Sequence, residues 1–222
     1  MFSERVDSWN TVPQGYAIDE FRDEGLYYEG ASAPLELAAI AHTGFGPSWV
    51  ALMEEFPRSL MFGFMVKDTS RGSVRARGRD DALITYWLNR HDVDQVRRGL
   101  GILARVYFAA GAREVHLPIP ASKPLRTLAE VARFEKAPLG ARAVDLTAYH
   151  PLGTCRMGVD SSSSVVDRGH QVHGVPGLFV CDGSVMPSSL GVNPQMTIMA
   201  MSLRAAEQIA QRLESAAGAQ AA

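Results

Sequence analysis

Two stretches decide the reading of this chain: YHPLGTCRMG at 149–158, and GLFVCDGSVMPSSLGVNPQMTIMA at 177–200. In both, polar and titratable residues sit among glycines and prolines instead of on amphipathic faces, which is the composition of shaped loops. His150 carries an imidazole that titrates near neutral pH, so it is either a general base or a structural histidine bonded to backbone. Asp182-Gly183-Ser184 follows an apolar run and reads, on spacing alone, as a turn after a strand. Asn193-Pro194 stands before a helical stretch, which makes Asn193 a natural N-cap and Pro194 a first-turn residue. Capping and a catalytic role for Asn193 are compatible only if its side chain is released to point elsewhere. The start of that helix is also suited to partial negative charge.

Working outward, Asp92 to Ala110 is the clearest helix. Val93, Val96, Leu100, Leu103, Ala104 and Tyr107 recur at three- and four-residue steps, with Asp92 as N-cap and Gly111 just past the end. Pro34 to Glu55 has helical composition broken at Gly44, Gly46 and Pro47, which gives two short helices or a helix and a loop. Strands are expected at 60–67, 73–77 and 82–88, together forming an antiparallel unit, with short strands at 114–117 and within 175–182. A short helix is expected over 124–133, and the last one from Pro194 to about Glu214, with Ser215 to Ala222 frayed. The first thirty residues read as an irregular segment. Strands and helices alternate irregularly, so the fold class is α+β with a mixed, largely antiparallel sheet.

Composition narrows the function classes. The chain has 222 residues, 46% hydrophobic and 21% charged, and can bury a sizeable core. A net charge of −2 gives no global field for nucleic acid or anionic lipid. No apolar run reaches membrane-spanning length, and the N-terminus lacks the layout of a secretory signal, so a cytoplasmic location is expected. Cys155 and Cys181 read as two free thiols, with no zinc-ligand spacing. His170 and His173 form an HxxH pair without a completing carboxylate or thiol, so no metal site is expected and both are assigned to a solvent-exposed turn. His42, His91 and His116 have no partner signature. Arg71, Arg75, Arg77 and Arg79 read as a solvated hairpin face. Phe45, Trp49, Met61, Phe62, Phe64, Met65 and Trp87 fit core packing or an apolar substrate cavity.

The two quoted stretches and their spacing resemble the C-terminal signature of the glucose–methanol–choline (GMC) oxidoreductases. The HPLG, DGS and GVNP forms are similar to those of cholesterol oxidases and long-chain fatty alcohol oxidases. The likeness covers 145–212 strongly. It extends more weakly over 1–120, through AIDEF at 17–21, ITYWL at 84–88 and RRGLGILARVYFAAGAREV at 97–115. The resemblance implies a flavoprotein that oxidises an alcohol, of sterol or long-chain type, to a ketone or aldehyde by hydride transfer to flavin N5. It implies His150 as the base taking the hydroxyl proton and Asn193 as the hydrogen-bonding partner that orients the same oxygen. It further implies FAD contacts from Asp182 and Gly183, and from the Asn193, Pro194, Gln195, Met196 and Thr197 segment at the helix N-terminus. A close backbone approach to the cofactor would then account for Gly183.

The sequence departs from the family in one respect: it has no GxGxxG. Gly99-Leu100-Gly101 falls inside a helix and fails the strand-to-helix context that motif needs. The expected organisation is therefore a substrate-binding domain over 1–176 and, over 177–222, a strand and helix that complete an FAD-binding domain. The expected state is a fragment, a split subunit or a degenerate orphan. Such a chain would bind FAD weakly alone and need a Rossmann-type FAD-binding half as partner. The alternative is a non-catalytic ligand-binding or assembly module derived from such an enzyme.

Overall fold

The computed structural model describes residues 1–12, 15–42, 44–120 and 122–220. The chain divides into two compact units, Met1–Gly72 with Tyr86–Thr147, and Ser73–Thr85 with Ala148–Ala222. Helices and small antiparallel sheets make this an α+β protein.

The first unit is built on a three-stranded sheet, β1 (Ala17–Ile18), β2 (Leu26–Ala31) and β3 (Met61–Val66). β2 lies in the middle and pairs antiparallel with β3 from Leu26↔Val66 to Ala31↔Met61. Alternation along β2 turns Leu26 and Tyr28 into the core. The expectation of an irregular N-terminal segment is thus corrected: a short strand bounded by turns carries the sheet. The expected pairing of 60–67 with 73–77 is corrected too. Met61–Val66 pairs with β2, because Phe62, Phe64 and Val66 share a core with Leu26 and Tyr28 of that strand.

Two short helices, α1 (Leu35–Ala41) and α2 (Pro47–Glu54), follow β2 as expected. α3 (Arg90–Ala109) lies over the sheet, burying Val93, Val96, Leu100, Leu103 and Ala104. It begins two residues earlier than the sequence suggested, because Asn89 caps it by accepting from Asp92 N. Asp92 is fully buried and accepts instead from the backbone N–H and hydroxyl groups of both Thr69 and Ser70. At the other end, Gly111 N bonds Phe108 O and Ala112 N bonds Tyr107 O, with Gly111 at φ 91°. This is a Schellman stop that needs a left-handed residue there. Gly99 is explained by packing: a Cβ there would overlap the Phe64 ring, and one at Gly101 would overlap Glu135. The pair of glycines lets α3 approach β3 and α4 (Leu128–Lys136) closely. A capping box between Thr127 and Glu130 starts α4, four residues later than expected. The expected strand at 114–117 reduces to one bridge, Val115↔Leu125.

The second unit contains the hairpin β4 (Gly72–Arg77) and β5 (Asp81–Tyr86), exposed on both faces. Arg71, Arg75, Arg77 and Arg79 are solvated, as expected. Its core is Val166, Val185 and Met186, covered by Leu152, Met157, Val172, Val180, Ile198 and Met201. The last helix, α5 (Gln195–Gln220), continues through the stretch expected to fray; Ala221 and Ala222 lie outside the described residues. The expected strand within 175–182 is corrected to an extended segment. Among the described residues it has only the bridge Gln171↔Phe179, with Val172 N bonding Leu178 O and Val180 N bonding His170 O. Among the described residues no second strand runs alongside it to build a ladder.

Candidate active site

The second unit brings the two signature stretches together through backbone bonds. Cys155 N donates to Ser184 O at 2.9 Å, and Met157 N donates to Val185 O at 2.8 Å. Leu152 on one stretch and Ile198 on the other flank Gly183, where a Cβ would stand 3.0 Å from both side chains. The glycine therefore has a reason within the chain: it lets the two stretches close on each other. Gly153, at φ 84°, turns the first stretch beside the carbonyl of Met186.

His150 and Asn193 meet at this junction. His150 Nε2 lies 3.1 Å from Asn193 Oδ1, although 43 residues separate them. His150 is half-buried and Asn193 is exposed, so the pair faces outward. The contact fixes the chemistry open to it. With Nε2–H the ring donates to Oδ1; with Nε2 bare, the amide must present its NH₂. In either arrangement the neutral ring keeps one bare nitrogen able to take a proton, Nδ1 in the first and Nε2 in the second.

The sequence placed Asn193 at the N-cap of the last helix. The structure puts Pro194 in that position: it is buried, and its carbonyl accepts from Ile198 N at 2.8 Å. The side-chain oxygen of Asn193 is thereby brought to His150. Gln195, Met196 and Thr197 form the exposed first turn of α5. Their N–H groups precede the helical ladder, and no acidic residue occupies that turn. The positive end of a 26-residue helix is thus presented beside the pair.

Asp182 is exposed and caps the short 3₁₀ turn Gly183–Val185, accepting from Ser184 N at 2.8 Å. Bonds from the Ser184 hydroxyl and N–H hold its carboxyl below the usual carboxylate range. Cys155 and Cys181 are free thiols, and burial pushes the Cys181 thiol up.

The assignment of the HxxH pair to a solvated turn is corrected. His170 is 0% exposed, sits at φ 66°, and places Nδ1 3.0 Å from Val180 O. His173 is half-buried with Nε2 3.0 Å from Ser164 Oγ. Neither contact has a signal in the spacing. Among the described residues no group of three or more His, Cys, Asp or Glu is placed to hold a metal. No described helix is long and apolar enough to cross a membrane. Of the aromatics considered for a substrate cavity, Phe62 and Phe64 pack on Leu26 and Tyr28, whereas Phe45 and Trp87 are exposed.

The sequence family described as GMC oxidoreductase matches residues 68–202, more than half of the chain. The chain belongs to this family. It is 34% identical over 209 residues to an uncharacterized GMC-type oxidoreductase of Mycobacterium tuberculosis, covering 94% of this chain and 33% of that protein. It is 28% identical over 194 residues to a long-chain-alcohol oxidase of Arabidopsis thaliana, covering 82% of this chain and 25% of that protein. Among solved structures, pyridoxine 4-oxidase from Mesorbium loti aligns with a TM-score of 0.55 and 26% identity, over 83% of this chain and 34% of that one. The chain thus spans about a third of the length of the proteins it matches.

Proposed function

We propose that this chain is the substrate-side, C-terminal part of an FAD-dependent oxidoreductase that acts on the CH–OH group of donors, with His150 and Asn193 as its catalytic pair. The observation that carries the proposal is their 3.1 Å contact at the first turn of α5. Two residues from separate motifs, each readable alone as structural, converge at one outward-facing point. In this reading His150 takes the hydroxyl proton of the bound alcohol, and the Asn193 amide hydrogen-bonds the same oxygen and sets its direction. A base so positioned is worth ~10²–10⁴-fold in rate.

The residues present fit a flavin. The N–H groups of Gln195, Met196 and Thr197 form an electropositive helix opening with no competing carboxylate in its first turn. These N–H groups, with Asp182 and Gly183 on the neighbouring turn, are the ones assigned to hold FAD. FAD supplies, when bound, the acceptor for hydride from the carbinol carbon. Residues 1–176 form the substrate-binding domain in this reading. Residues 177–222 complete an FAD-binding domain whose remainder comes from a Rossmann-type partner half. The substrate class is apolar, of long-chain or sterol type, in keeping with the named activity of the Arabidopsis relatives.

Co-expression with an FAD-binding half, followed by assay against long-chain alcohols, sterols and short polar alcohols, tests the proposal. Flavin-loaded complex that oxidises the apolar series supports it. A flavin-loaded complex inert toward every alcohol refutes it.

A further inference from the structure

A second cluster of functional groups lies in the second unit, on the side of α5 that carries Arg204, Gln208, Gln211 and Arg212. The same side of the helix, further in, buries Ala205 and packs Ile198 and Met201 on the core. Arg204, Gln208 and Arg212 recur every four residues and therefore align in one row. With Arg168 and Gly169 from the preceding turn they line an open cleft of about 490 Å³.

The guanidinium groups are held in place. Arg204 Nη1 donates to Arg168 O at 3.2 Å. Arg212 Nη1 donates to Gln171 Oε1 at 2.6 Å, its Nη2 lies 3.8 Å from Asp167 Oδ2, and its guanidinium stands 5.6 Å from the centre of the Phe179 ring. The turn is shaped for this, since a Cβ on Gly169 would overlap the Arg212 guanidinium. Among the described residues, Asp167 is the one carboxylate that pairs with any of the three arginines, through Arg212. Its Oδ1 is engaged by the N–H groups of Gly169 and Gln171. Glu207 and Glu214, on the same helix, do not line the cleft. Three guanidinium charges against one carboxylate leave a local charge of about +2. Gln208 lies between Arg204 and Arg212 in the row, with its side-chain Oε1 buried and without a hydrogen-bond partner among the described residues.

We propose that this cleft binds a phosphate dianion, as inorganic phosphate or as the head of a phosphomonoester. Planar guanidinium forks match phosphate oxygens two at a time, and two of the three are already immobilised. The site is separate from the His150–Asn193 pair and does not rest on the oxidoreductase reading.

The test is calorimetric titration of the full chain with inorganic phosphate and with AMP, alongside flotation with phosphatidic acid and phosphatidylcholine vesicles. Saturable phosphate binding is expected, weakened about tenfold or more by Arg204→Gln and by Arg168→Gln, and unchanged by Arg133→Gln on α4. Gly169→Ala alters no charge and is expected to weaken binding by displacing Arg212. Tighter binding of AMP than of phosphate assigns the site to a soluble phosphomonoester. Selective retention on phosphatidic acid vesicles assigns it to a lipid headgroup. Absence of saturation with every probe, or equal affinity in the folded arginine variants and the parent, overturns the proposal.

Discussion

Val166→Ala probes the core on which the geometry of the candidate site depends. Val166 is fully buried, and with Val185 and Met186 forms the small core of the second unit. That core lies between the stretch bearing His150 and the helix that follows Asn193, since Leu152, Met157, Ile198 and Met201 all pack on it. The substitution removes two buried carbon groups. At about 0.8 kcal/mol each, the transfer loss is about 1.6 kcal/mol, and the cavity left behind raises it to about 2–3 kcal/mol. Tryptophan fluorescence would miss the effect, because Trp9, Trp49 and Trp87 all belong to the other unit. Amide hydrogen exchange reads it directly at Cys155 and Met157, whose N–H groups donate to Ser184 O and Val185 O. At 1.4 kcal/mol per decade, those amides are expected to exchange roughly 30- to 100-fold faster, while amides within α3 keep their rates. Exchange at Cys155 and Met157 changed by less than about threefold would refute the view that one core joins the two stretches.

Three other outcomes follow from the contacts described. Asp92→Ala strands two backbone N–H groups and two hydroxyls of Thr69 and Ser70, so thermal unfolding should show the first unit destabilised by about 3 kcal/mol or more, with Asp92→Asn milder. Thr127→Ala removes half of the capping box at α4 and is expected to cost about 1 kcal/mol in urea unfolding. Asp182 has a folded pKa below its unfolded value. Its contribution is therefore complete above the unfolded value of 3.8 and is lost as pH falls through the lower folded value. The stability difference between the parent and Asp182→Asn, followed by hydrogen exchange of the second unit, should shrink as pH drops into that range.

The sequence revealed most where one helix face or one local turn sufficed. The α3 stripe from Val93 to Tyr107 and the Gly111 stop are local features, and both stand in the structure. Strand pairing was less legible. Leu26–Ala31 is six residues between turns, and nothing in its period announces that it pairs with Met61–Val66 instead of leaving that strand to its neighbour in sequence. The cap of α3 moved to Asn89 because Asp92 is drawn into bonds with a loop more than twenty residues away. At the candidate site, the two stretches were visible as loop-like polar clusters, but their contact was not. It depends on backbone bonds between 155–157 and 184–185 and on the small side of Gly183. His170 was misassigned for the same reason: its burial comes from the turn that folds Val180 back over it, not from local composition.

The role proposed for His150 is to remove the proton of an alcohol bound beside Asn193. Single-turnover reduction of the flavin in the assembled enzyme, parent against His150→Ala, is followed by loss of the oxidised flavin's visible absorbance. Retained flavin and a reduction rate lower by ~10²–10⁴-fold are expected. An unchanged rate with the flavin in place would contradict it.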